Sequence, residues 1–280
     1  MKNRVLFSII TILLLQTQLS SQSFPYLQDN GEINRITTGN GIDNPVTVKV
    51  IYDNYIKVSE MTPDWGYSIL IEGLDSEILF DTGNKPDVFE SNFKKMDIDA
   101  SQVDFIVLSH EHGDHTGGIS SFAKMKSDIP VIIPHSFTEA FKKDIVGMGL
   151  KPVLVKEPAP ICENLFTSGV FDFQIAEQAL VLNTKKGLVV MTGCAHPGII
   201  NMLKQIRSSF NKNVYMIFGG FHLMGKSENE MDAIIAEMKA LGVKKCGATH
   251  CTGDMQIEMF KASFGVDYFD LGAGNIIVIN

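Results

Sequence analysis

The sequence predicts a single-domain α/β fold, and three observations lead to that prediction. Short apolar runs rich in β-branched residues alternate with stretches of helical length, which is the pattern of strand–helix–strand units. Several runs end in glycine close to histidine, as expected where backbones approach a ligand at one rim of a sheet. The chain has 280 residues and no Pro- or Ser-rich linker, so one large domain accounts for its length.

The N-terminal segment is predicted to be a signal peptide rather than part of the domain. Lys2 and Arg4 precede an apolar run from Val5 to Leu15, and small residues follow at 21–23. The run is shorter than the ~20 residues that cross a bilayer, so we expect cleavage and no remaining membrane anchor. The expected boundaries are a signal peptide at 1–23 and one domain at 24–280. The mature chain would be exported, either periplasmic or secreted.

Two segments of the domain repeat the order strand, helix, strand. Residues 77–83 and 187–193 are similar apolar strands that end in Thr-Gly. Each is followed by a candidate helix and then by another strand. The candidate helices are 85–96 and 199–210, and the following strands are 103–109 and 214–218. Such a duplicated unit is expected to bring its strand ends to one edge of the fold.

A cluster of potential metal ligands follows the predicted strand at 103–109. It contains His110, His112, Asp114 and His115 within six residues. In extended backbone, alternate side chains point the same way, so His110 and His112 can bind one cation, while the turn at Gly113 redirects the other two toward a second position. Imidazole and carboxylate are donors that Zn²⁺ and similar ions accept. The cluster therefore predicts two adjacent metal sites that need further ligands.

Three more histidines follow predicted strands beside glycine. They are His196, His222 and His250, after strands at 188–191, 214–218 and 243–248. We expect His196 and His250 to be ligands because they belong to the same pattern. For His222 the sequence leaves two possibilities open, a ligand or an ordinary hydrogen-bonded side chain.

These motifs together resemble the metallo-β-lactamase superfamily, whose signature is His-x-His-x-Asp-His after a strand. The branch they resemble contains the dihydropterin-methyl-aminobenzene ribofuranosyl phosphate synthase. The resemblance extends from about residue 46 to the C-terminus and implies a four-layer αββα sandwich. The motifs are Ser-Ile-Leu-Ile-Glu at 68–72, Ile-Leu-Phe-Asp-Thr-Gly at 78–83, the signature with Thr-Gly-Gly at 110–118, Gly-Cys-Ala-His at 193–196, Gly-Gly-Phe-His at 219–222 and His-Cys-Thr-Gly at 250–253.

The resemblance also implies roles for the candidate residues. It implies one or two divalent ions, with zinc as the default and iron or manganese accepted by the same donors. Asp81 would orient a ligand histidine, although an aspartate before Thr-Gly is also typical of a turn. The implied ligands are His110, His112 and His196 at the first site and Asp114, His115 and His250 at the second.

The chain departs from the superfamily pattern at one position. Most members with two metal ions have a bridging aspartate between the third and last histidine motifs, but no aspartate lies between Pro197 and Met231. His222 stands where that carboxylate is expected. The resemblance therefore leaves open a weaker second site, and His222 as a ligand or as a proton donor to a leaving group.

The sequence favours an enzyme, and metal-assisted hydrolysis is the leading hypothesis. Bound cations would lower the pKa of water, Asp114 would position it, and His222 would protonate the departing oxygen of a small ester, lactone or phosphodiester. The first alternative is the synthase reaction of the resembled branch, ranked lower because an exported chain would not meet its substrates. The second alternative is a non-catalytic protein that binds a metal or another ligand.

Composition restricts the partners. The formal net charge is −8 and arginine is scarce, so binding to nucleic acid is not expected and a small-molecule substrate is. Cys194 and Cys251 each neighbour a predicted ligand, and we expect them to pack as small apolar residues. For Trp65, the only tryptophan, we expect packing in the core or a loop rather than a wall for a flat ring. The oligomeric state stays open.

Overall fold

Two mixed β-sheets face each other and carry helices on their outer faces. The computed structural model describes residues 24–27, 36 and 38–280, so the expected signal peptide at 1–23 lies outside the described residues. The elements below are numbered in chain order. Their arrangement confirms the expected αββα sandwich.

The first sheet has the spatial order β13-β1-β2-β3-β4-β5-β6. The strands from β3 to β6 run parallel, whereas β13, β1, β2 and β3 alternate in direction. The strands are β1 (Val46–Tyr52), β2 (Ser68–Glu72), β3 (Glu77–Phe80), β4 (Val103–Val107), β5 (Pro130–Pro134), β6 (Lys151–Val155) and β13 (Ile276–Ile279).

The second sheet has the order β12-β11-β10-β9-β8-β7. Here β10, β11 and β12 are parallel and the remaining pairs are antiparallel. The strands are β7 (Ala159–Cys162), β8 (Leu165–Phe171), β9 (Glu177–Thr184), β10 (Gly187–Thr192), β11 (Val214–Gly220) and β12 (Lys245–Thr249).

The helices cover the outer faces because each presents one apolar stripe. In α5, buried residues recur at helical spacing from Ile199 through Leu203 and Ile206 to Phe210, and they pack on the second sheet with α6 and α7. The helices α1, α3 and α4 cover the first sheet. The helices are α1 (Pro86–Lys95), α2 (Gly113–Thr116), α3 (Ile119–Met125), α4 (Glu139–Gly147), α5 (Ile199–Phe210), α6 (Glu228–Ala240) and α7 (Asp254–Phe264).

The core between the sheets is made by the inward faces of both. Val48 and Ile69 of the first sheet and Leu180 and Phe218 of the second belong to one buried cluster. No helix in the described ranges is long and apolar enough to cross a membrane.

The two strand–helix–strand units occur as β3–α1–β4 and β10–α5–β11. The two strands of each unit are parallel: β3 runs in the same direction as β4, and β10 in the same direction as β11. The histidine motifs follow β4, β10, β11 and β12, which places them at strand ends as the sequence predicts.

Candidate metal centre

The signature cluster begins where β4 ends and continues into a short helix. His112 is the N-cap residue of α2, and the single turn of that helix carries Asp114 and His115. His110 Nε2 lies 3.1 Å from His112 Nδ1, so the two side chains point into the same space. His110 and His115 are fully buried. The strand end and the turn thus direct four donors to one side of the sheet.

The second sheet contributes its histidines from strained backbone. His222 and His250 have φ values of 49° and 51°, and Ala195, next to His196, has a φ of 58°. Non-glycine residues seldom adopt this left-handed conformation, and it is concentrated at functional sites where it aims particular side chains. The chain therefore accepts strain at each histidine motif of this sheet.

The predicted ligands come together in two groups. In each group the candidate ligand atoms all lie within 4.8 Å of one another. Donors that are each ~2.0–2.3 Å from one ion can be no farther apart than about 4.6 Å. The spacing within each group is therefore close to what one shared ion requires. The first group is His110, His112 and His196, and the second is Asp114, His115 and His250.

Asp81 fixes the orientation of two of these histidines. Its carboxylate accepts hydrogen bonds of 2.7 Å from the Ser109 backbone N–H, from the Ser109 hydroxyl and from His115 Nδ1. The same hydroxyl lies 2.9 Å from His110 Nδ1. A hydroxyl that donates to Asp81 accepts from His110, so in their neutral forms both imidazoles carry the proton on Nδ1 and present a free Nε2 to the centre.

Asn54 does the same for His250. The Asn54 side-chain oxygen lies 2.9 Å from His250 Nδ1, and its amide donates to the His250 carbonyl at 3.0 Å. Among the described residues, His196 Nε2 and His250 Nε2 are buried without a hydrogen bond. A buried nitrogen with a free lone pair and no hydrogen bond is expected at a position that binds metal. The donor set therefore fits a divalent metal.

The charge states of the histidines agree with that fit. Burial lowers the pKa of His110, of His112 and of His196, the last to about 3, so these imidazoles are neutral at neutral pH. His115 is the exception: burial lowers its pKa, but the charge and hydrogen bond of Asp81 together with the charge of Asp114 outweigh burial and raise the pKa to about 9. Metal ligation needs the neutral form, and binding of an ion would displace the remaining proton.

Glu177 supports the His196 loop, and the sequence analysis did not identify it. It is the first residue of β9, fully buried, and its carboxylate accepts the backbone N–H groups of Cys194, Ala195 and His196 at 2.8–2.9 Å. Burial raises the pKa of Glu177 and these N–H groups oppose that rise. Three charge-assisted hydrogen bonds to one loop make this carboxylate the anchor of the third histidine.

Replacing Glu177 with glutamine is expected to loosen that loop. An amide NH₂ would face a backbone N–H in place of one carboxylate oxygen, so at least one buried donor loses its acceptor. We expect unfolding to become easier by about 1–3 kcal/mol and the affinity for metal to fall by about 10–100-fold. Denaturant unfolding and competition with a chromophoric chelator measure the two effects. Glu163→Gln, at an exposed position, is the control, and equal behaviour of the two variants would contradict the role.

Asp53 is another support that the sequence analysis missed. It is fully buried after β1, and both its oxygens lie within 2.8 Å of the Thr249 hydroxyl, next to His250. Burial raises its pKa to about 6. A polar Asp-Asn pair directly after a buried strand is the one local signal that could have identified Asp53 and Asn54.

His222 and Trp65 lie at the rim of the centre. His222 is exposed, its ring centroid is 4.3 Å from that of His196, and none of the four donor groups among the described residues includes it. Trp65 is 45% exposed and its ring lies 4.9 Å from the His250 ring. Trp65 is therefore not in the core; it lies in the loop between β1 and β2, and its side chain stands beside the centre in contact with solvent.

Two buried cysteines enter the same space. Cys194 Sγ lies 3.2 Å from His115 Nε2 and 3.1 Å from Cys251 Sγ. Burial raises the pKa of Cys194. Burial also raises the pKa of Cys251, but its hydrogen bonds with Cys194 and His222 outweigh burial and lower it. The thiols thus belong to the polar centre as well as to the packing around it.

Comparison with known proteins gives a consistent family. Residues 61–196 match the model of the metallo-beta-lactamase superfamily. The chain is 33% identical over 268 residues to the 7,8-dihydropterin-6-methyl-4-(beta-D-ribofuranosyl)-aminobenzene-5'-phosphate synthase of Methanocaldococcus jannaschii, covering 77% of this chain and 91% of the relative.

Solved structures agree with the fold. Tm1679, described as a metal-dependent hydrolase of the beta-lactamase superfamily, superposes with a TM-score of 0.70 at 30% identity and covers 83% of this chain and 98% of its own. The metallo-beta-lactamase fold protein YhfI of Bacillus subtilis superposes with a TM-score of 0.60 at 17% identity, covering 84% of this chain and 100% of its own. At that identity YhfI supports the fold alone.

Proposed function

Because the chain belongs to the metallo-β-lactamase superfamily, we propose that it is a metal-dependent transferase that joins a pterin-methyl group to an aromatic amine. The observation that carries this proposal is the 33% identity to the Methanocaldococcus jannaschii synthase over 91% of that protein. The sequence analysis ranked this reaction below hydrolysis only because of the expected signal peptide. Export remains an expectation from the sequence, and the identity to the synthase supports ranking transfer first.

The proposed reaction begins with a pterin-methyl diphosphate. The bond between the methyl carbon and the diphosphate oxygen breaks, and the electron pair leaves with the diphosphate. The amine nitrogen forms the new bond to carbon and then gives up a proton. When bound, divalent ions would supply positive charge that stabilises the departing diphosphate.

The residues of this chain divide the remaining tasks. His110, His112 and His196 would hold one ion, and Asp114, His115 and His250 the other. Asp81 and Asn54 keep the Nε2 atoms of their histidines free for that purpose. His222, exposed beside His196, would accept the proton of the amine.

The test supplies the metal-loaded protein with 6-hydroxymethyl-7,8-dihydropterin diphosphate, with and without 4-(β-D-ribofuranosyl)aminobenzene 5'-phosphate. Diphosphate release and the coupled product are followed by mass spectrometry. We expect release to depend on the amine and to match the coupled product. Release at the same rate into water alone, with the pterin alcohol as product, would contradict transfer.

Hydrolysis remains the second candidate function. It is favoured by the 30% identity to Tm1679, whose description is a metal-dependent hydrolase, and Asp114 would position the attacking water. A panel of small esters, lactones and phosphodiesters under the same conditions tests it. Metal binding without turnover of any of these substrates would favour the third candidate, a non-catalytic binding protein.

Trp65 is expected to stack on the pterin ring. Its exposed indole beside His250 offers a flat apolar face at the rim of the centre. Aromatic stacking contributes about 0.5–1.5 kcal/mol, so Trp65→Ala should raise KM by about two- to tenfold. Because Trp65 is the only tryptophan, quenching of intrinsic fluorescence by added pterin measures binding directly. Trp65→Phe, which keeps a ring, should retain the KM, and unquenched wild-type fluorescence would contradict stacking.

A further inference from the structure

Two thiols stand where the candidate metal centre lacks an anionic donor. Cys194 and Cys251 are 3% and 4% exposed, and both are free cysteines. The superfamily's bridging aspartate has no counterpart between Pro197 and Met231, and His222, which stands in its place, lies outside the donor groups of the described residues. The centre thus has one carboxylate, Asp114, for two ions.

Cys194 lies between the two groups of predicted ligands. The Cys194 sulfur is within 4.8 Å of the ligand atoms of His110 and His115. It is also within 4.8 Å of the ligand atoms of His250 and Cys251. His110 belongs to the first predicted site, and His115 and His250 belong to the second. Cys194 is therefore the donor that connects the residues of both sites.

The surroundings fix the sulfur atoms in this position. The Glu177 carboxylate accepts a hydrogen bond from the backbone N–H of Cys194 at 2.9 Å. A Cβ at Gly220 would come within 2.8 Å of Cys251 Sγ, so the end of β11 lies directly against that sulfur. His250 Nε2, in the same donor group as both thiols, is buried without a hydrogen bond. A buried nitrogen grouped with two sulfur atoms, and 3.3 Å from an Asp114 carboxylate oxygen, points to a shared ion.

We propose that the thiolates of Cys194 and Cys251 are metal ligands, with Cys194 at the position between the two sites and Cys251 at the second site. Thiolate would supply the negative charge that the missing aspartate supplies elsewhere, and each thiol would release its proton when the ion binds. Soft donors favour zinc, cobalt or cadmium over manganese and magnesium. This inference rests on the proposed function only in requiring that the centre binds metal.

The test is titration of the metal-free, reduced full-length protein with Co²⁺. Cobalt–thiolate bonds absorb in the near ultraviolet, whereas cobalt bound by nitrogen and oxygen alone does not. We expect this band in the wild type, a fall by about two thirds in Cys194→Ser, whose sulfur would contact both ions, a fall by about one third in Cys251→Ser, and loss of the band in the double variant. Cys246→Ser, at a buried cysteine in the core under the helices, is the matched control and should leave the band unchanged.

A second measurement avoids substitutions altogether. X-ray absorption of the zinc-loaded wild type should contain a sulfur shell at ~2.3 Å beside nitrogen and oxygen at ~2.0–2.1 Å. Bound ions with neither a sulfur shell nor a cobalt–thiolate band would overturn the thiolate inference and leave the metal-dependent function standing. Absence of any bound ion would overturn both. A Cys194–Cys251 disulfide that persists in the metal-loaded protein would overturn the inference as well.

Discussion

Replacing His110 and His112 together with alanine is expected to remove bound metal and to abolish turnover. These side chains supply two of the three predicted ligands of the first site, and His110 also lies in the donor group of His115 and Cys194. Loss of an ion removes several kcal/mol of charge stabilisation, and about 4 kcal/mol corresponds to a thousandfold in rate. We therefore expect kcat/KM to fall by at least about 10³-fold.

Elemental mass spectrometry of the purified variant measures the metal, and the transferase and hydrolase assays measure turnover. His135→Ala is the matched control, because His135 lies outside the centre and its Nδ1 faces the Val155 carbonyl at 3.2 Å. Circular dichroism checks that both variants fold. Full metal content in the double variant would contradict the ligand assignment and the metal-dependent function that rests on it.

Replacing Asp81 with asparagine is expected to give the second largest effect. The amide NH₂ must replace either Oδ1, where it would face the Ser109 backbone N–H, or Oδ2, where it would face the Ser109 hydroxyl and His115 Nδ1; all three donate to the carboxylate in the native protein. If His115 Nδ1 becomes the acceptor, its proton moves to Nε2, and that nitrogen can no longer bind metal. We expect metal affinity to fall by about 10–100-fold and stability by about 1–3 kcal/mol.

Chelator competition and denaturant unfolding measure these two losses. Asp104→Asn is a suitable control, because Asp104 is an exposed aspartate of β4 that accepts only the Glu77 N–H at 3.0 Å. If Asp81→Asn binds metal with native affinity, Asp81 does not orient a ligand and serves only the turn before Thr-Gly.

The fold and the ligand cluster were accessible from local sequence patterns. Helix α5 has the predicted bounds because its burial follows the period of 3.6 residues that the sequence displays. The signature after β4 was recognisable because its donors are neighbours in the chain. Its strand end and its one-turn helix then determine where those donors point.

The supports of the centre were not accessible in the same way. Asn54 and His250 are 196 positions apart, and no periodicity or motif links them. From the sequence alone, an acidic residue at the start of a strand is expected to be exposed to solvent. Glu177 can be buried because its carboxylate accepts N–H groups from a loop 17–19 residues later. The exposure of Trp65 depends on how the loop after β1 turns around the centre, which the tryptophan itself does not encode.

Because the centre takes its donors from both sheets, bound metal would affect how long the folded chain persists. His110 to His115 follow a strand of one sheet, and His196 and His250 follow strands of the other. An ion bound by residues of both sheets connects the two sheets along that edge. At a hundredfold excess over its Kd it stabilises the folded state by about 2.7 kcal/mol. Metal starvation would then open this edge first to hydrogen exchange and to proteases. The supply of ions would govern how long the protein persists as well as whether it is active.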